Sequence, residues 1–198
     1  MKKHLFKLQI FSLLLLFFVL ILSSCGEQEY FPKPKAYLYI KLPIQDYQKF
    51  DTTYPYQFEY SKNAIIIERQ NQTSEPYWLN LYYPSFGATI YFSYKKVNNQ
   101  LRTLIEDSRQ LVMKHIQKAD AINEKFIENR QAQVFGLIYD ISGSDVASPY
   151  QFYITDSVKH FLRGALYFNH SPNNDSLAPI INFIKSDAEH LITTFKWK

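Results

Sequence analysis

The side chains able to do chemistry are few, and their spacing restricts what they can do. Ser157 stands between Asp156 and His160 in Thr155-Asp-Ser-Val-Lys-His160, so a hydroxyl, a carboxylate and an imidazole occur together. Such a trio would make the hydroxyl a nucleophile, but triad members meet through folding, and nearness in sequence is no evidence of one. A turn in which Asp156 and Ser157 satisfy backbone groups accounts for the same residues. The histidines beyond the leader are His115, His160, His170 and His190. No pair has zinc-motif spacing such as His-Glu-x-x-His, so no metal is expected. Glu106 and Asp107 are adjacent on a helix and point apart, which excludes the facing carboxylates of a glycosidase. With five glycines in the chain and no Gly-x-Ser-x-Gly elbow, neither a phosphate loop nor a hydrolase turn is present, and no cofactor is expected. What remains is a set of polar groups inside apolar segments: Arg109 and His115 on a helix, Asp156 and His160 at a strand entry, and Arg163 mid-strand. They form the candidate interaction surface, against a competing reading of internal ion pairing and capping. His115 shares the apolar face of its helix with Ser108, as a satisfied core histidine would.

The remaining reactive group is the thiol of Cys25, the sole cysteine. It follows a basic Met1-Lys2-Lys3-His4, an apolar stretch from Leu8 to Leu22, and Leu22-Ser23-Ser24. A basic start, an apolar core and small residues at the cleavage point describe an export signal. With cysteine at that point the pattern resembles the lipobox of bacterial lipoproteins, so residues 1–24 are expected to be removed and Cys25 to become the lipidated first residue. A membrane-spanning helix needs roughly 20 mostly apolar residues. Gln9 and Ser12 interrupt the stretch and leave only Leu13 to Leu22 unbroken. A diacylglycerol on the thiol and an acyl chain on the amine anchor stably, at ~0.8 kcal/mol per buried methylene. That use of the thiol rules out a disulfide and a cysteine nucleophile.

Removing the leader takes Lys2, Lys3 and Lys7 and no acid, so the formal charge falls from +4 to near neutrality. No run of Lys and Arg survives, and the footprint of a nucleic-acid binder is absent. Roughly 170 residues remain, enough for one domain with a sizeable core. Stability must come from packing, and 16 Tyr with the Phe residues beyond the leader supply it.

The elements that must position the candidate residues follow from periodicity. Residues 25–43, with Pro32, Pro34 and Pro43, read as a tether that holds a single globular domain, residues 44–198, away from the membrane. Tyr54, Tyr56, Phe58 and Tyr60 alternate with polar residues and Pro55, which predicts a strand. Further strands are expected at Ala64 to Glu68, Tyr77 to Tyr83 and Thr89 to Val97, the last two joined across Pro84-Ser85-Phe86-Gly87. Leu101, Leu104, Ile105, Ser108, Leu111, Val112, His115, Ile116 and Ala119 predict an amphipathic helix of about five turns. Val134 to Tyr139 reads as a strand covered on both faces. Strands at Tyr150 to Thr155 and His160 to Phe168 follow. A last helix is expected with Asn174, Asp175 and Ser176 as caps and Pro179 in its first turn. The order predicts an α+β fold, an antiparallel β-sheet with two amphipathic helices packed on it. It resembles the Mog1/PsbP-like α/β/α sandwich.

Several segments together carry a resemblance over nearly the whole mature chain. They are Pro32-Lys-Pro-Lys35, Tyr54-Pro-Tyr-Gln-Phe-Glu-Tyr60, Glu75-Pro-Tyr-Trp78, Glu106-Asp-Ser-Arg109, Lys114-His115, Lys118-Ala-Asp-Ala-Ile122, Gly136-Leu-Ile-Tyr-Asp140, Phe161 to Asn169, Asp175-Ser-Leu-Ala-Pro179 and Thr194 to Lys198. In this order they resemble the gliding motility lipoprotein GldD family of Bacteroidetes. The resemblance implies a periplasm-facing lipoprotein of the cell envelope, required for gliding and for the associated type IX secretion system. It supplies no reaction. The expected function is therefore non-catalytic docking on other gliding and secretion proteins, with the bilayer held through acylated Cys25 and the outer membrane favoured. The alternatives are a small envelope enzyme acting on peptidoglycan or lipid, and a carrier of a lipid or peptide in a pocket between sheet and helix.

Overall fold

The computed structural model describes residues 40–68 and 75–198; the leader, Cys25 and most of the tether lie outside them. The described elements are β1 (Tyr47–Phe50), β2 (Tyr56–Ser61), β3 (Ile65–Glu68), β4 (Leu79–Tyr83), β5 (Ala88–Lys96), α1 (Leu101–Met113), β6 (Ala121–Asn129), β7 (Val134–Ser142), β8 (Tyr150–Thr155), β9 (His160–Phe168), α2 (Asn174–Thr194) and β10 (Lys196–Trp197). A seven-stranded sheet has the order β3-β4-β5-β9-β8-β7-β6, with every neighbouring pair antiparallel. The α+β architecture expected from the element order is the one observed.

The alternation of β2 buries Tyr56 and Phe58 as expected, but the strand does not join the main sheet. It sits between β1 and the short C-terminal β10, pairing Tyr56 with Trp197 and Phe58 with Phe50. This small sheet and α2 cover one face of the main sheet. Tyr56, Phe58, Phe92, Phe152, Ile184, Leu191 and Phe195 meet there in the principal core. The partly buried Ile40 and Leu42 pack on it as well, so the end of the segment read as tether already touches the domain.

On the opposite face α1 meets Leu137, Tyr139 and Ile141 of β7 through Val112, forming a smaller core. Since Val134 and Ile138 point into the principal core, β7 is covered on both sides, as its apolar run predicts. Helix α1 is shorter than its apolar spacing suggests. After Met113 the hydrogen bonds tighten to three-residue turns, His115 to Val112 and Ile116 to Met113, and Ile116 stands 60% exposed. Only Ser108 and Val112 of this helix are buried. Helix α2 starts at Asn174, so Asn174, Asp175 and Ser176 lie inside it and Pro179 falls in its second turn. The Asn174 side chain caps nothing; it donates to the carbonyls of Gly143 and Val146 and ties α2 to the β7–β8 turn.

Candidate docking site

Asp156 follows the last residue of β8, where the chain must reverse into β9. Its Oδ1 accepts from the backbone N–H groups of Val158, Lys159 and His160 at 3.0, 2.8 and 2.8 Å. Burial works to raise this carboxyl, but the bonds from His160, Lys159 and Val158 outweigh it and hold it below the usual 3.8. The Ser157 backbone takes φ +68° and its N–H donates to Thr155 Oγ1. The His160 ring turns away from both, with Nδ1 2.7 Å from the Tyr94 hydroxyl and its plane stacked on Trp197. Asp156, Ser157 and His160 therefore form a turn, with the carboxylate engaged by the backbone and the imidazole by a tyrosine. Burial is the main influence that lowers His160 below 6.5, with Asp156 opposing it.

Side chains alternate across a strand. His160 faces the principal core, whereas Arg163 lies on the α1 face with Phe161 and Ala165. The candidate residues consequently divide between the two faces of the sheet. Arg163 donates through Nη2 to Gln151 Oε1 of β8, and the Tyr167 hydroxyl lies beside it. His115, in the turn after α1, is lowered first by burial and then by the positive charge of Arg163, which places these two in one neighbourhood. Arg109 is exposed on the flank of α1 beside Tyr139. The structure thus brings Arg163 and His115 together, pairs Asp156 with the His160 backbone, and leaves Arg109 apart. Lipidation of Cys25 falls outside the described residues.

Sequence reasoning passes over Asp187, which is 1% exposed on α2. Gln45 Nε2 and the Tyr47 hydroxyl donate to its Oδ1 at 3.1 and 3.2 Å, and the Ser61 and Tyr83 hydroxyls face the same carboxylate. Burial dominates and raises its pKa above 3.8 despite these donors. Tyr47 also stacks on His190 at 3.6 Å, and His190 Nε2 lies 2.9 Å from Glu59 Oε2. The signal that points to Asp187 is its position in the apolar stripe of α2, one residue before Ala188.

Among the described residues no helix is long and apolar enough to cross a membrane, and no three metal-ligating side chains gather. Fold and site define an α+β domain with one antiparallel sheet between α1 and the α2 layer. The model for the gliding motility lipoprotein GldD matches residues 27–197, and the chain belongs to that family. It is accordingly a gliding motility lipoprotein, held in the cell envelope by lipid. The solution structure of cyanobacterial PsbP (CyanoP) from Synechocystis sp. PCC 6803 is similar with a TM-score of 0.47 and 14% identity, over 88% of this chain and 98% of that one. No curated protein matches the chain significantly.

Proposed function

We propose that this lipoprotein acts without catalysis, by docking on other proteins of the gliding and type IX secretion apparatus while acylated Cys25 holds it to the membrane. The periplasm is the compartment it faces in this reading, and the outer membrane is the favoured anchor site. The observation that carries the reading is the α1 face of the main sheet. There a half-buried Arg163 donates to the neutral Gln151 and joins no ion pair among the described residues, and Ile65, Ile67 and Tyr91 are 54%, 46% and 37% exposed. Exposed apolar side chains grouped on one face are a mark of interaction surfaces. The use of Asp156 and His160 in a turn weighs against the envelope-hydrolase alternative. Charge reversal of Arg163 or Arg109 should reduce co-purification of partners and gliding while circular dichroism stays native. Unchanged co-purification and motility would reject this surface.

One observation favours a second reading, a carrier of a lipid or peptide. A groove of about 530 Å³ lies between β6 and the end of α2, lined by Phe126, Ile127, Ile138 and Ile192 with Lys125 and Glu189 on its rim. Native mass spectrometry of the purified protein should then show a bound apolar molecule that Ile192→Trp removes.

A further inference from the structure

None of the described ion pairs includes Arg163, although its side chain is half-buried on β9. Withdrawing a charge from water is costly unless a counter-charge or hydrogen bonds compensate. Here the compensation comes from the neutral Gln151 Oε1, with the Tyr167 hydroxyl nearby. Gln151 is itself 1% exposed, and its Nε2 has no acceptor. His115, on the α1 side, is close enough to feel the positive charge of this guanidinium. An orphaned amide donor therefore sits beside a cation, with a second cation-forming group in its neighbourhood and no acid paired to it among the described residues. Ala165, in register with both Gln151 and Tyr91, leaves room for the arginine to lie across its strand.

The surface beside Arg163 is apolar and open. Tyr91 and Tyr167 meet edge to face at 5.9 Å on adjacent strands. Ile65 and Ile67 continue the same face to the β3 edge. A guanidinium offers parallel donors that match a carboxylate in bidentate geometry. Tyrosine and arginine are the residues most enriched at the energetic centre of protein interfaces.

We propose that this surface receives an acidic side chain of a partner protein, its carboxylate paired with Arg163 and the flanking residues of that segment packed on Tyr91, Tyr167 and Ile67. The inference rests on the docking reading and specifies its chemistry. It is tested on the full lipidated chain in detergent micelles by following the Arg163 Nε–Hε resonance. The titrant is the peptide acetyl-Gly-Glu-Tyr-Glu-Gly-amide, with its Gln-for-Glu analogue, inorganic phosphate and sodium chloride at equal ionic strength as separate arms. The acidic peptide should give a saturable shift that the Gln analogue and chloride do not. Arg163→Gln, followed through the Gln151 amide signals, should weaken binding at least tenfold, with partial recovery in Arg163→Lys. An equal response to the Gln analogue or to chloride overturns the proposal, and so does a response to phosphate as strong as that to peptide. The two readings fail separately. If the peptide does not bind yet partner proteins still co-purify, the acidic-ligand site is wrong and docking stands. If it binds at Arg163 while Arg163→Gln leaves partners and motility untouched, the acidic-ligand site stands and its part in docking falls.

Discussion

The Tyr94 hydroxyl and His160 Nδ1 lie 2.7 Å apart, joining β5 to the start of β9 beneath the Trp197 ring. With Nδ1 unprotonated the tyrosine donates and the imidazole accepts. Tyr94→Phe removes the donor and should cost about 1 kcal/mol of stability. The pH response follows from the direction of the His160 shift. Its folded pKa lies below 6.5, chiefly through burial, so the unfolded chain binds protons first. Stability is complete above 6.5 and is lost as pH falls below it. His115 has the same sign. Urea midpoints at pH 7.5 and 5.5 should show a fall for the natural chain and a smaller one for His160→Gln, which isolates the His160 share.

Gly136 and Gly164 sit in strands, where glycine ordinarily weakens a sheet. A methyl at Gly136 would overlap the carbonyl oxygen of Tyr153 on β8, and one at Gly164 would overlap the Phe152 ring. A side chain can shift at some cost, whereas a paired strand moves only by losing its ladder. Gly136→Ala should therefore be the more damaging, by about 3 kcal/mol or more, and Gly164→Ala costs roughly 1–3 kcal/mol as overpacking. Thermal unfolding of the two variants under one condition checks the ranking.

These two glycines show how far the sequence could be read. The segments around them were legible as strands because apolar residues dominate β7 and β9. β6 was not, since as an edge strand it places Glu124, Lys125, Phe126 and Glu128 in solvent and shows no buried alternation. β1 and β10 are four and two residues long, too short for a period to register. The spacing of α1 overstated its length because His115 and Ile116 keep helical periodicity in a chain that has already tightened into turns. The division of the candidate residues over two faces depends on strand pairing. His160 and Arg163 are three apart, and only membership of one strand sends them to opposite sides. Asp187 was hidden for a related reason, since its amide and hydroxyl partners come from Gln45 and Tyr47, both more than a hundred residues earlier.

That buried carboxylate sets a second pH response, opposite in sign to the histidines. Asp187 is raised above 3.8 in the folded state, with burial as the first cause. The folded protein therefore takes up this proton before the unfolded chain does, and stability linked to Asp187 rises as pH falls from neutrality through its folded pKa toward 3.8. Asp187→Asn removes the titration, so the natural chain should gain on the variant between pH 7 and pH 4.5. Asp187→Ala leaves the Gln45 amide and the Tyr47 hydroxyl without their acceptor and should cost about 2–4 kcal/mol at pH 7, and more as pH falls. Denaturation curves for the three proteins at both pH values provide the measurement, and a difference between the natural chain and Asp187→Asn that does not change with pH would contradict the assignment.

Cys25→Ser separates the anchor from the fold. A serine at the cleavage point offers no thiol for a diacylglycerol, and each buried methylene it forfeits is worth ~0.8 kcal/mol of membrane attachment, so loss of the acyl chains should release the protein from the membrane fraction. The packed body draws its stability from the aromatic layer of Tyr56, Phe58, Phe92 and Phe195 and from strand pairing that begins at Tyr47, all of it downstream of the tether. The melting temperature of the released protein should therefore equal that of the lipidated form. Fractionation and thermal unfolding on one preparation give both readouts. A Cys25→Ser chain that stays in the membrane fraction would disprove the anchor, whereas a released chain that melts lower would show that the tether contributes to the fold beyond the contacts of Ile40 and Leu42.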